Sequence, residues 1–528
     1  MKNINVVDVT LRDGGCVNDF NFGYQYMKQI LEAEEQAKID IIEIGYIDDK
    51  NGSINNRTKY LSEKYIKDSI LHSKKDGITY VAMIDYGKYD FNNLSEKDEL
   101  GIDGIRLAFH KKDRNKIFEI ADLILKKGYL LFLQPMLTLT YSEDELESFL
   151  KEINRKLPQA SAVYIVDSFG EMRPNEMKHI FEIYDKCLLP EIPIGFHSHN
   201  NLQLSYSNAM SMLEFKSNRN LYIDCSIMGM GKGAGNLNTE LLLEHLNLFY
   251  NKNYNISPLL KVIDEVVNQL HSEFYWGYAP EYYLSSVNHC TPSYAKHFYS
   301  KHMLPIDKVG QLLSLIEPEK KISFDKEYAE KLYKYFNEKD FVDDMEAFES
   351  IKNSLHGKDV LLLGPGKSIL SYEDSIDRII LDENTASVSL NVINDKNYDY
   401  NLITRKELLD NYKKSTDRLI VTSNVDVTIT KNVLNYKNWI DIDGEIHDSS
   451  LVIALNLIRK CGVKHVFLAG IDGFSSNINE NYYDPAMRHP VTDEQAENRN
   501  NYYKNLISRF INSGMDITFL TPSKYEEA

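Results

Sequence analysis

The sequence predicts an α/β protein: a (β/α)8 TIM barrel with a helical annex, followed by a Rossmann-like α/β domain. Three observations predict it. Short apolar runs alternate with helix-patterned segments between residues 5 and 226, as a closed parallel barrel requires. Polar residues gather where those runs end: Arg12 and Asp13 after the first, Glu43 in the second, Asp167 after the sixth, His197 and His199 at the seventh. Near residue 360 a strand, a glycine turn and a helix begin again. An open doubly wound sheet would also alternate strands and helices, but in a barrel those strand ends converge on one mouth, which favours the barrel.

Taken in order, the barrel strands are Asn5–Thr10, Asp40–Gly45, Thr79–Ile84, Gly104–Phe109, Tyr129–Gln134, Ala162–Val166, Ile194–His197 and Tyr222–Ser226. Gly23–Ala37, Asn115–Lys127 and Asn201–Leu213 carry the 3.6-residue apolar spacing of helices between them. The barrel domain is set at residues 1–250. Residues 251–345 form a helical annex and linker, opening with a helix at Ser257–Leu270 and carrying Trp276-Gly-Tyr-Ala-Pro-Glu-Tyr-Tyr283. The charged stretch 337–344 is the boundary, followed by a short helix and a hinge at Leu355-His-Gly-Lys358. The second α/β domain, 350–528, has expected strands at Val360–Leu363, Arg378–Leu381, Arg418–Thr422, His465–Ala469 and Asp516–Leu520, with helices at Ser450–Lys460 and Glu494–Ser513.

Composition narrows the function class. The net charge of −18 over 528 residues argues against nucleic-acid or anionic-membrane binding, both of which need clustered basic charge. Cys16, Cys187, Cys225, Cys290 and Cys461 are scattered without a CxxC pair, the pattern of a reduced, cytoplasmic protein. No apolar run approaches the roughly 20 residues of a membrane span, and the N-terminus shows no signal-peptide apolar region.

The chemistry lies at the strand ends. His197 and His199, at i and i+2 on a strand, point the same way. With the carboxylate of Asp13 they make a ligand set for one divalent cation, with positions left for substrate. Arg12 beside them is placed to hold an oxyanion, so the arrangement suits chemistry through an enolate. The loop Gly229-Met-Gly-Lys-Gly-Ala-Gly-Asn236 fails the spacing of a dinucleotide fingerprint. It instead brings backbone close to the mouth and offers Asn236 as a fourth ligand. Asp167 and Ser168 are candidates to touch a substrate carboxylate, Glu43 to brace Arg12, and Gln134 and Arg106 to line the site. In the second domain Gly364-Pro-Gly-Lys-Ser368 is no Walker A loop, because Leu361 stands where its first glycine belongs. A strand–glycine turn–helix is still a phosphate cradle, so Gly364, Gly366, Ser368 and Asp472 are assigned to a nucleotide ligand. Asp484, Arg488 and His489 are further polar positions of interest. An assembly domain without catalysis is the alternative.

The segments DVTLRDGG (8–15), IEIG (42–45), VDSFG (166–170), GFHSHNN (195–201) and GMGKGAGN (229–236), in this order, resemble the metal-dependent aldolase and acyl-transfer superfamily of TIM barrels (DRE-TIM, HMGL-like) over residues 1 to about 300. The nearest branch is the 4-hydroxy-2-oxo acid aldolases. The resemblance implies a class II lyase that makes or breaks a 4-hydroxy-2-oxo acid, yielding pyruvate and an aldehyde, with a homo-oligomer expected. It assigns Asp13, His197, His199 and Asn236 to Mn²⁺, with Mg²⁺ or Co²⁺ as substitutes, and Arg12 to the enolate. The chain departs from the branch at Cys16, where the family places the histidine base. An ordinary thiol pKa of about 8.5 makes it a poor base at neutral pH. Cys16 is therefore either the base or a small wall residue, and the proton has other routes through water, His110 or Tyr283, which matches by spacing a tyrosine near the aldolase site. A Claisen-type condensation of an acyl-CoA with a 2-oxo acid is the competing chemistry, although such synthases carry Glu-Gln after Asp-Gly. From a different class, the second domain bears a faint resemblance, in Gly364–Ser368 and Ala469–Phe474, to sialyltransferase-like nucleotide-sugar domains. A glycosyltransferase-like protein with a supporting barrel, or a role in sugar-acid or surface-glycan synthesis, would follow from that.

Overall fold

The structure is a computed structural model describing residues 3–53, 56–300, 306–339, 342–425, 428–441, 449–488 and 490–526. It divides into two compact units, Met1–Leu332 and Tyr333–Ala528. His489 and part of the 337–344 boundary lie outside the described residues.

The first unit is a closed parallel barrel. Its strands are β1 (Ile4–Asp8), β2 (Ile41–Ile47), β4 (Thr79–Asp85), β5 (Gly104–Phe109), β6 (Leu130–Pro135), β7 (Ala162–Asp167), β8 (Ile194–Ser198) and β9 (Leu221–Cys225), while the two-residue β3 (Lys59–Tyr60) adds to the outside edge of β2. Val7 pairing with Ile41 and with Asp224 closes the ring between β1, β2 and β9. Alternation across each strand sends Ile42, Ile105, Leu107, Ile165 and Ile223 outward into the shell beneath the helices. Val7, Val81, Phe132, Tyr164 and Val166 face inward and fill the barrel's lower interior. The helix Tyr24–Ala37 packs against β2 and buries Met27, Ile30 and Leu31. The helix Glu143–Lys156 begins at a capping box, in which Ser142 and Glu145 each accept the other's backbone N–H. Annex helices lie over the loops at the carboxyl ends of the strands: Trp276 Nε1 donates to Met228 O at 3.0 Å and Ser286 Oγ to Phe169 O at 2.5 Å.

The second unit is a seven-stranded parallel sheet: β10 (Asp359–Leu363), β11 (Thr385–Leu390), β12 (Tyr400–Ile403), β13 (Leu419–Thr422), β14 (Val433–Leu434), β15 (His465–Ala469) and β16 (Asp516–Phe519). Its order is β14-β13-β12-β11-β10-β15-β16. Val360 and Leu362 enter one core, with the helices Ser450–Lys460 and Asp493–Asn512. Leu361 and Leu363 enter another, on the opposite face. The expected strand Arg378–Leu381 is instead the end of a helix, Glu373–Ile380. Ile376, Ile379 and Ile380 recur at helical spacing against the second core, and an apolar run this short carries no period that separates strand from helix. The short helix expected after the boundary is Met345–Leu355, which buries Ile351 and Leu355 in the first of these cores. Asp344 before it accepts from Trp439 Nε1 at 2.7 Å and Asn435 N at 2.8 Å. Among the described residues no helix is long and apolar enough to cross a membrane.

Candidate active site

Above the apolar floor of the barrel lies a layer of buried charge. Glu43 Oε2 accepts from Arg12 Nε at 2.7 Å and from Arg106 Nη1 at 2.8 Å. Arg106 also pairs with Asp224, and its guanidinium lies 4.8 Å from the Tyr164 ring. A β-bulge between Glu43 and Gly45 shifts the pairing with β4 beside the site, a common device for re-aiming a side chain. Gln134, with its amide oxygen turned to Arg106, accepts from Nε at 3.2 Å and Nη2 at 2.9 Å. A buried guanidinium needs such partners, since an uncompensated buried charge costs several kcal/mol.

The next layer is the candidate metal set. Asp13, His197 and His199 offer ligand atoms that all lie within 4.8 Å of one another, and all three residues are buried. His197 Nδ1 is bonded to Asp224 Oδ2 at 2.9 Å, which fixes the ring and leaves Nε2 for the cluster. Asp13 accepts from Arg12 Nη1 at 2.7 Å and from Asn236 Nδ2 at 2.7 Å. The glycine loop brings Asn236 here: a Cβ on Gly235 (φ +84°) would sit 1.9 Å from Gly229 O, and one on Gly231 2.3 Å from Asn236 Nδ2. Only glycine permits that approach.

Electrostatics fit a cation. Burial opposes the Asp13 charge, but Arg12, His199 and His197 outweigh it and hold the carboxyl well below the usual carboxylate range. Burial lowers the His199 imidazole to about 4 despite Asp13, so at neutral pH it is an uncharged ligand. His199 Nδ1, Asn236 Oδ1 and Arg12 Nη2 are buried with no hydrogen-bond partner. Such atoms are rare in folded proteins unless something else satisfies them. Two guanidinium groups face the three carboxylates of Asp13, Glu43 and Asp224, leaving one negative charge over. A divalent cation held by Asp13, His197 and His199 would reverse that excess.

The remaining predicted residues fall around this centre. Cys16 reaches solvent, yet its sulfur sits among barrel atoms and donates to Asp13 Oδ1 at 4.0 Å. Burial and then Asp13 push its thiol up to about 12. Asp167 spends both oxygens on its own loop, accepting from Glu171 N at 2.9 Å and Met172 N at 3.1 Å; burial nevertheless raises it to about 7. Ser168 Oγ accepts from Leu137 N at 3.2 Å. Tyr283 is 44% exposed, whereas its neighbour Tyr282 is buried against Ala234 of the glycine loop. His110 is half-buried at the end of β5, and burial lowers its pKa. Gly364, Gly366, Ser368 and Asp472 come together in the second unit, with Ser368 bonded to Asp472.

Sequence reasoning missed four residues of the mouth. Asp224 orients His197; an acid within a buried strand was its signal, as for Glu43. Asp85 ends β4, raised by burial, within electrostatic reach of Arg12, His110 and Tyr46. Lys232 acts on His199, Cys16 and His110. Tyr282 is the fourth.

Comparisons with known proteins agree with the motifs. Residues 106–266 match the HMGL-like family model. The 4-hydroxy-2-oxovalerate aldolase 2 of Comamonas testosteroni is 29% identical over 244 residues, 46% of this chain and 68% of that protein. The 4-hydroxy-2-oxovalerate aldolase of Carboxydothermus hydrogenoformans is 29% identical over 273 residues, 50% of this chain and 77% of that protein. Among solved structures, the HMG-CoA lyase of Brucella melitensis aligns with a TM-score of 0.40 and 12% identity, over 52% of this chain and 100% of that one. These relatives support an enzyme of aldolase or lyase type, and the resemblance to the HMGL-like, DRE-TIM aldolases read from the five motifs is matched by the family model and by named relatives alike.

Proposed function

We propose that the barrel is a divalent-metal-dependent aldolase acting on a 4-hydroxy-2-oxo acid, with Mn²⁺ as its cation. The observation that carries this reading is the coincidence of a buried Asp–His–His set with two buried unpartnered atoms, Asn236 Oδ1 and Arg12 Nη2, on residues that both bond to Asp13. When bound, the cation would polarise the 2-oxo group of the substrate. Arg12, held rigid by Glu43 and Asp13, supplies a preorganised donor for the oxygen on which enolate charge develops. In cleavage a base takes the proton of the 4-hydroxyl, the C3–C4 bond breaks, and its electron pair passes into the pyruvate enolate as the aldehyde leaves. Protonation at C3 completes pyruvate. Cys16, with its thiol pushed up to about 12, is a wall residue in this reading. His110, kept neutral by burial, is the better acceptor at pH 7. Tyr282, packed on the glycine loop, takes the place assigned to Tyr283 from spacing.

The competing Claisen chemistry needs the same ligands, so it is separated by substrate. The protein is incubated with Mn²⁺, pyruvate and a panel of aldehydes, and in parallel with acetyl-CoA and 2-oxo acids. The proposal expects aldol products from the first and no thiol from the second. Thiol release with no aldol product would replace it with a condensing synthase.

A further inference from the structure

The second unit holds a cavity that the aldolase reading leaves without a task. Its volume is about 480 Å³, within the ~300–1,000 Å³ of small-ligand sites. It lies over the carboxyl ends of the parallel strands, lined by Gly366 after β10, Asn391 after β11, Arg405 after β12 and Gly470 after β15. The strand order reverses between β10 and β15. Open α/β sheets bind their ligands in the crevice at such a reversal.

Charge and shape say what kind of ligand. The charged residues of the lining are Arg405, Arg499 and Asp472. Asp472 is engaged: it accepts from Ser368 N at 2.7 Å and Ser368 Oγ at 2.5 Å. The lining therefore carries two guanidinium groups against one carboxylate in a chain whose net charge is −18, and Arg499 lies over the Phe474 ring at 5.1 Å. Arg405 forms no ion pair among the described residues. The helix Ser450–Lys460 starts at the same rim with Ser449 and Ser450, and its dipole adds positive potential there. The facing wall is aromatic: Phe474 stacks on Tyr503 with centroids 5.9 Å apart, and Tyr503 lies 6.0 Å from Tyr525. Cationic groups beside a stacking wall match a phosphorylated ligand with a flat ring system.

The glycine turn itself is not the anion site. The N–H groups of Gly364, Gly366 and Ser368 already donate to Ala469 O, Gly470 O and Asp472 Oδ2 at 2.8, 2.8 and 2.7 Å. A Cβ on Gly366 would sit 2.5 Å from Asp472 Cγ. The glycines let two loops pack together, and those three N–H groups have nothing left for a phosphate.

We propose that this cavity binds a nucleoside phosphate, with the phosphates at Arg405 and the base beside the Phe474–Tyr503–Tyr525 wall. The test is calorimetric titration of the full-length protein with CDP, UDP, ADP, GDP and pyrophosphate, once in EDTA and once in Mg²⁺. Saturable binding of at least one nucleoside diphosphate in either buffer is expected, with pyrophosphate at least about tenfold weaker. Arg405→Ala should weaken it about tenfold or more, the usual effect of losing a charge-assisted hydrogen bond, with the unfolding midpoint unchanged; Arg405→Gln serves if the alanine variant is unstable. No saturable binding of any of the four in both buffers would overturn the proposal. So would pyrophosphate binding as tightly, or affinity indifferent to Arg405. Because the readout needs no lyase turnover, the aldolase reading stands or falls separately.

Discussion

Arg12 is the side chain whose loss should separate chemistry from structure most cleanly. Its Nε and Nη1 are spent on Glu43 and Asp13, and its Nη2 is unpartnered. Removing a preorganised donor from a developing enolate typically costs about 3 kcal/mol of transition-state stabilisation. Arg12→Lys, which keeps a charge beside Glu43 and Asp13 but drops the unpartnered Nη2, is therefore expected to lose about two to three decades of kcat while its circular dichroism persists. A rate within a few-fold of wild type would remove Arg12 from the mechanism. Cys16 and His110 give the contrasting pair. Cys16→Ala is expected to change turnover by less than about threefold, since a thiol held high by burial and Asp13 stays protonated near neutrality. His110 must be neutral to accept a proton, and burial lowers its pKa, so the acid limb of the kcat/KM profile should lie below the ordinary imidazole value of about 6.5. That limb should vanish in His110→Ala. If it vanishes in Cys16→Ala instead, the roles are reversed.

At the scale of elements, the barrel strands carry buried charge that can be tested by stability and affinity. Glu34, on the helix Tyr24–Ala37, is fully buried, and its carboxyl shares a hydrogen bond with the carboxyl of Asp8. Burial, then the neighbouring Asp8, raise its pKa well above the ordinary carboxyl range. A raised folded value means the folded chain holds the proton that the unfolded chain releases near pH 4.3. The stabilisation is complete below that pH and is lost as pH rises through the folded value. Glu34→Gln removes this group's titration, so its advantage over wild type should grow as pH rises from 4 to 8 in urea unfolding. A difference independent of pH would show that Glu34 is not held neutral. Asp224→Asn should loosen Mn²⁺ binding by about 10–100-fold through the misoriented His197 ring, the usual effect of losing a ligand's supporting partner. The barrel was legible because each strand buries two faces of different partners and keeps a strong apolar signature. In the second sheet β11 reads Thr-Ala-Ser-Val-Ser-Leu, and its small side chains, buried under helices, gave no apolar run to see. The site was legible where one motif supplies neighbours, as with Arg12–Asp13 and His197–His199. Asp85, Lys232 and Tyr282 come from separate elements, and only barrel closure and annex packing aim them at one mouth.

For the whole molecule, the two proposals give the units separable tasks: metal chemistry in the barrel and ligand binding in the cavity of the second sheet. A ligand that binds only the folded state raises stability by mass action, so Mn²⁺ at 100 times its dissociation constant should add about 2.7 kcal/mol to the barrel's unfolding and nothing in His199→Ala. The most direct test joins that occupancy to chemistry. Metal-free full-length protein is titrated with Mn²⁺ while pyruvate release from a 4-hydroxy-2-oxo acid is followed. A single site per chain should fill, pyruvate release should rise in proportion to its filling, and His199→Ala should show neither. Pyruvate release indifferent to EDTA, or a filled Mn²⁺ site that releases no pyruvate from any 4-hydroxy-2-oxo acid, would contradict a metal-dependent aldolase.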